Sequence, residues 1–172
     1  MSLAQWFLSH EERANPHTRI DAVRGDELAW STGNSVRPIV HGATYFADLA
    51  DRISQMGEGD RVYFVDWRGD PDEHLNDDGL TLVEVLTAAL DRGVDVRGLL
   101  WRSHWRKLGF HSERSFELGK TIEKHGGQCL RDMRVRTGGA HHQKFVVLRH
   151  RDDPSRDVAY VGGIDLCHSR RD

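Results

Sequence analysis

Long apolar stretches are missing from this 172-residue chain. The longest candidates, such as the run holding Val62, Phe64 and Val65, are strand-sized, whereas a membrane-spanning helix needs roughly 20 apolar residues, so a spanning helix is excluded. Trp6, Phe7 and Leu8 form a brief apolar patch, but His10, Glu11, Glu12 and Arg13 follow at once, with no basic lead-in. No signal peptide is expected, and a cytoplasmic location is. Cysteine is scarce: Cys129 and Cys167 are the only two. Their spacing fits no thiolate metal site and no disulfide scaffold, which leaves buried free thiols as the expectation. Internal repeats, low-complexity tracts and linkers rich in Pro, Gly or Ser are also lacking, so one domain is expected.

What is present is the balance of a soluble globular protein, 38% hydrophobic and 30% charged residues. The net charge of −3 conceals an asymmetry, because residues 1–96 hold 8 basic against 18 acidic residues and residues 97–172 hold 16 against 9. A basic half suits an anionic ligand such as a phosphate ester, a lipid headgroup or nucleic acid, and equally suits a solvated surface.

Residues 1–40 are the least patterned. Pro16, Gly25, Gly33 and Pro38 punctuate an irregular lead-in, with one short strand expected near Val36 to Val40. From Ala43, the recurrence of Phe46, Leu49, Ala50 and Ile53 predicts a helix face, closed by Gly57 and Gly59. Residues 61–67 read as a buried strand and residues 68–79 as a long polar loop. A second helix follows on Leu82, Leu86, Ala89 and Leu90, then a strand over residues 94–101 and a third helix over residues 112–125 ending at Gly126 and Gly127. Short strands at residues 128–130, 144–148 and 158–161 complete an alternation that predicts an α/β fold: a mixed, largely parallel sheet with helices on both faces, its ligands gathering at strand ends.

The segment GGAHHQK (residues 138–144) delivers two histidines and then a lysine at the start of a predicted strand. On an extended strand residues i and i+2 share a face, so His142 and Lys144 are expected to address one ligand from one side, and His141 to point away. For a phosphodiester this has chemical sense. A neutral imidazole can attack phosphorus while an ammonium offsets charge on the non-bridging oxygens, with no cofactor required. By itself His-x-Lys is also what an exposed strand edge carries.

The wider run HHQKFVVL, followed by VAYVGGIDLCHSRRD, resembles the first HKD motif of the phospholipase D superfamily, especially its eukaryotic-like members. His142, Lys144, Gly162, Gly163 and Asp165 fill that motif's positions. The GDPDEHL and LDRGVDVRGLLW segments also resemble the family's N-terminal half, so the resemblance covers about residues 40 to 172. It implies a phospholipase D-type catalytic half-domain over residues 41–172, metal-independent cleavage of a phosphodiester, and a phosphohistidine intermediate. By the same resemblance His142 is the nucleophile or its acid partner, Lys144 holds phosphate, Asp165 contributes to the phosphate pocket or orients a histidine, and Gly162 and Gly163 contact substrate.

Two departures stand out. The motif's aspartate falls at Arg149, and the interval from lysine to glycines is lengthened by RHRDDPSRD, read as an exposed hairpin loop in which Asp152, Asp153 or Asp157 could supply an acid. The family uses two such motifs in one centre, and only one is found here. The second is expected from a half beyond Asp172, truncated from this chain, or from a second copy.

Other residues carry weaker signals. His141, His142, His150, Cys167 and His168 match no closed set of metal ligands. Trp101, Arg102, His104, Trp105, Arg106 and Lys107 interleave aromatics with cations, as a lipid interface or an exposed loop does, and Trp105 and Arg106 are assigned to substrate contact. Asp66, Trp67, Asp70 and Asp72 are placed at the rim of the same pocket. The expectation is therefore a hydrolase of lipid degradation, cleaving or transferring a phospholipid headgroup with peripheral contact to a membrane surface. The rival readings are a single-motif homodimeric endonuclease acting on nucleic acid and a catalytically silent phosphate- or membrane-binding module.

Overall fold

A computed structural model of the protein describes residues 33–103 and 112–172. The chain divides into two compact units, Met1–Pro38 and Ile39–Asp172, and every helix and strand among the described residues belongs to the second. The strand expected near Val36 to Val40 is not formed. Val36 and Val40 are both exposed, Ile39 alone in this stretch packs against the core, and the segment pairs with no strand among the described residues.

In the second unit the described elements are α1 (Gly42–Ser54), β1 (Arg61–Asp66), α2 (Leu82–Asp91), β2 (Asp95–Trp101), α3 (Ser112–Lys124), β3 (Gln128–Asp132), β4 (Phe145–Arg149) and β5 (Val158–Val161). The sheet order is β3-β2-β1-β4-β5. β1 pairs in parallel with β2, and β2 with β3, each through a helical crossover. β4 runs antiparallel to β1 and to β5. The α/β class and the mixed sheet are those expected, with two of the four strand pairings parallel.

Alternation along the strands decides where the core sits. Val62 and Phe64 of β1 stand in register with Val96 and Gly98 of β2 and with Leu148 and Val146 of β4. Their side chains are buried together with Phe46, Leu49 and Ile53 of α1, Leu82 and Leu86 of α2, and Leu118 and Ile122 of α3. Gly98 is required by this packing, since a Cβ there would collide with the Phe64 ring. On the opposite face Tyr63, Val65, Leu99, Phe145 and Val147 are only partly buried, and Leu130 and Val161 are exposed. Helices therefore cover one face among the described residues. None of the described helices is long and apolar enough to cross a membrane. Cys129 and Cys167 are buried free thiols, and burial pushes each up to about 12.

Local signals fix the helix ends that aim the strands. Thr81 and Glu84 form a reciprocal capping box at the start of α2, a motif whose hydroxyl contributes about 1 kcal/mol. Beyond its end, Arg92 donates to the carbonyls of Ile53 and Met56, tying α2 to the last turn of α1. The first turn of α1 is capped from far along the chain. Asp172 accepts from the Gly42 amide at 2.5 Å and from His41 at 2.7 Å, and these bonds hold its carboxyl down at about 2.

Candidate active site

The site forms where β1 ends and β4 begins, because the antiparallel pairing of Val65 with Phe145 places the next residues, Asp66 and Lys144, together at that edge. Lys144 is buried, and its Nζ lies 3.2 Å from Oδ1 of Asp165, itself 2% exposed. Asp165 arrives on the turn that follows β5, after Gly162 and Gly163. Neither the Lys144 ammonium nor that Asp165 oxygen forms a hydrogen bond of regular geometry among the described residues. The exposed Arg170 guanidinium stands 3.6 Å from the other Asp165 oxygen.

Asp66, also 2% exposed, receives the Trp67 amide at 2.9 Å and the Leu166 amide at 3.0 Å. The second bond joins the end of β1 to the residue after Asp165. Burial, together with a hydrogen bond to Asp165 and its negative charge, pushes the Asp66 carboxyl up to about 9. The Lys144 charge acts on Asp66 in the opposite direction. Tyr45 of α1 completes this environment, its hydroxyl pushed up by burial and by the Asp66 charge.

His142 and Lys144 do not share a face in the manner expected. β4 begins only at Phe145, so the strand rule does not reach back to residue 142. His141 and Lys144 are the buried members of this segment, and His142 is exposed. His142 stands edge-on to Trp67, with ring centres 5.8 Å apart, and Trp67 in turn stacks on the buried Trp101 at 5.9 Å. The histidine is thus held beside the end of β1 by an aromatic pair rather than by strand geometry. Among the described residues, neither ring nitrogen of His141 has a hydrogen-bond partner.

Gly162 and Gly163 are exposed, and a Cβ at either would meet open space, so no packing among the described residues demands glycine there. Trp105 and Arg106 lie outside the described residues. The rim group is more organised than its sequence suggested. Buried Asp70 takes two bonds from Arg68, at 2.9 and 2.6 Å, and one from the His168 amide at 3.0 Å. The His168 ring bridges Asp70 and Asp72, 3.4 and 3.0 Å away.

Arg149, the residue standing in the motif's acid position, closes β4 at the other end of the strand. With Lys144 just before the first residue of β4, the two are separated by about 16 Å of extended chain. An acid at position 149 could not touch a ligand held by Lys144. Asp157 occupies that far end, 2.5 Å from Arg149 Nε and accepting the His150 amide at 2.7 Å. Asp153 caps the short turn at Pro154–Arg156, and Asp152 is exposed beside Arg151.

No family model matches the chain. Among curated proteins it is similar to phospholipase D alpha 1 of Cynara cardunculus, 29% identical over 73% of this chain and 19% of that protein. It is also similar to phospholipase D2 of Bos taurus, 29% identical over 81% of this chain and 14% of the other. Phospholipase D C of Dictyostelium discoideum is 27% identical over 80% of this chain and 8% of that protein. By sequence, most of the chain is thus similar to a part of each of these phospholipases D. It spans less than a fifth of the length of these relatives. Among solved structures, a polyphosphate kinase from Porphyromonas gingivalis aligns with 74% of this chain and 18% of its own at 13% identity and a TM-score of 0.47.

Proposed function

We propose that the chain is one half of a phospholipase D-type phosphodiesterase, contributing His142 as nucleophile and Lys144 as the phosphate-holding cation. The observation that carries this reading is the buried Lys144 ammonium, set 3.2 Å from Asp165 without regular hydrogen bonds, at a strand end where His142 is exposed. A buried cation whose donors are unsaturated has capacity for an anionic oxygen, and water exclusion strengthens that contact.

In the proposed reaction a His142 ring nitrogen attacks phosphorus, the P–N bond forms and the bond to the leaving oxygen breaks. The departing oxygen takes the electron pair and a proton from the histidine of a second motif, supplied in cis by a second half or in trans by a second copy. Water or an alcohol then displaces the histidine. Lys144 offsets the negative charge on the non-bridging oxygens, and Asp165 orients Lys144. A phospholipid is the substrate favoured by the names of the relatives, which makes a membrane surface the proposed setting.

The test is choline release from phosphatidylcholine vesicles over a range of chain concentrations. Release that depends on His142 and rises more steeply than linearly with concentration supports the half-site completed by a second copy. Release unchanged by His142→Ala removes His142 from the mechanism. Nicking of plasmid DNA in chelator, with no choline released, would instead favour the homodimeric nuclease.

A further inference from the structure

Asp66 has no place in the His-x-Lys or glycine-turn pattern, yet it is buried and bound from two sides. Its carboxyl accepts the amides of Trp67 and of Leu166, the residue after the buried Asp165 that faces Lys144. The residues that bond it are about a hundred positions apart in sequence, so it links the end of β1 to the turn carrying Asp165. Among the described residues, the charged or titratable groups recorded around it are Asp165 on that turn, Lys144 before β4 and Tyr45 on α1, with Arg170 reaching the outer oxygen of Asp165.

We infer that Asp66 is a positioning residue that, in its protonated form, donates to Asp165 and so leaves the Lys144 charge available to an incoming phosphodiester. The charge balance gives the reason. With Asp66 neutral, Lys144 faces one carboxylate and the trio has no net charge. With Asp66 ionised, two carboxylates face one ammonium in a buried site, and the resulting negative field opposes an anionic ligand. The role rests on the reading of Lys144 as the phosphate cation, and the proton on Asp66 can be observed without that reading.

The experiment uses the whole chain and dimethyl phosphate, a diester monoanion with no ionisation of its own in the range. Two signals are followed by NMR as the pH is raised through about 9: the Leu166 and Trp67 amide resonances, which report the charge on Asp66, and the affinity for dimethyl phosphate. In the wild type both amides are expected to titrate together, with affinity falling about tenfold per pH unit above their shared midpoint. Asp66→Asn keeps a donor toward Asp165 but cannot ionise. Its affinity is expected to lose that pH dependence, whatever its absolute level after one backbone amide is left unmet. Asp66→Ala, with its fold checked by circular dichroism, is expected to bind weakly at every pH.

Amides that stay fixed across the range overturn the proton on Asp66. Amides that titrate while affinity stays level overturn its role, as does an Asp66→Asn chain that keeps the wild-type pH dependence. Binding unaffected by Lys144→Ala overturns the phosphate-site reading itself, and the role of Asp66 with it.

Discussion

The two ends of β4 carry charged residues of opposite character. At the Arg149 end the charged groups are paired: Asp157 holds the Arg149 side chain and the His150 amide, and Asp60 takes the Arg151 amide at 2.9 Å, although the buried His150 Nδ1 has no hydrogen-bond partner among the described residues. At the Lys144 end, Lys144 and Asp165 are buried yet under-bonded, and His141 beside them has no hydrogen-bond partner on either ring nitrogen among the described residues. Paired charges at an exposed turn stabilise a fold, whereas buried charges left with spare donors and acceptors represent a cost that binding an anion can offset. The missing motif acid falls at the Arg149 end. Its loss is therefore a matter of scaffold, and Asp157 fills the structural part.

That contrast can be broken most decisively by removing the two groups assigned to chemistry. His142→Ala is expected to lower turnover about a thousandfold or more with little change in melting temperature, because the ring is exposed. A large loss of stability would mean that His142 belongs to the scaffold. Lys144→Ala is expected to lower both turnover and stability, since it leaves Asp165 buried without its cation.

At the far end the pattern should invert. Asp157→Ala is expected to cost about 1–2 kcal/mol in urea unfolding, through the unmet His150 amide and the lost Arg149 pair, with turnover per folded molecule unchanged. Arg149→Asp, which restores the motif acid, is expected to give no gain in turnover and to destabilise modestly by setting two carboxylates together. A substantial gain in turnover would show that the far end does communicate with the site.

A further expected effect concerns pH. The Asp66 carboxyl is raised in the folded state, so between the ordinary carboxylate range and about 9 the native chain holds a proton that the unfolded chain has released. Stability from this group therefore falls as pH rises through that window. Asp66→Asn should flatten the slope of melting temperature against pH there, and an unchanged slope would assign the proton elsewhere.

Much of this was legible in the sequence because it rests on local rules. The periodicity of Phe46, Leu49 and Ile53 marks α1, the glycine pair after α3 marks its stop, and the polar run between β4 and β5 marks a turn between antiparallel strands. The family resemblance marks Lys144 and Asp165 as site residues, while their direct pairing emerges only from the structure. Three things were hidden, each for a tertiary reason. The face of His142 depends on where β4 starts, which is set by pairing with β1. Asp66 gains its importance only when β1 and the turn after β5 meet. Asp172 caps α1 across about 130 residues, a contact with no local signature.

The most direct test uses bis(p-nitrophenyl) phosphate, whose leaving group is acidic enough to depart without a proton from a second histidine. A half-site with a competent nucleophile should release p-nitrophenolate in a burst approaching about one equivalent per chain, then slow, leaving the p-nitrophenyl phosphoryl group on nitrogen of His142. Mass spectrometry of the peptide containing His142 should show that adduct, absent from His142→Ala. Release with no burst, or a burst of the same size in His142→Ala with the residue-142 peptide unmodified, would contradict the assignment of His142 as the nucleophile of this half-site.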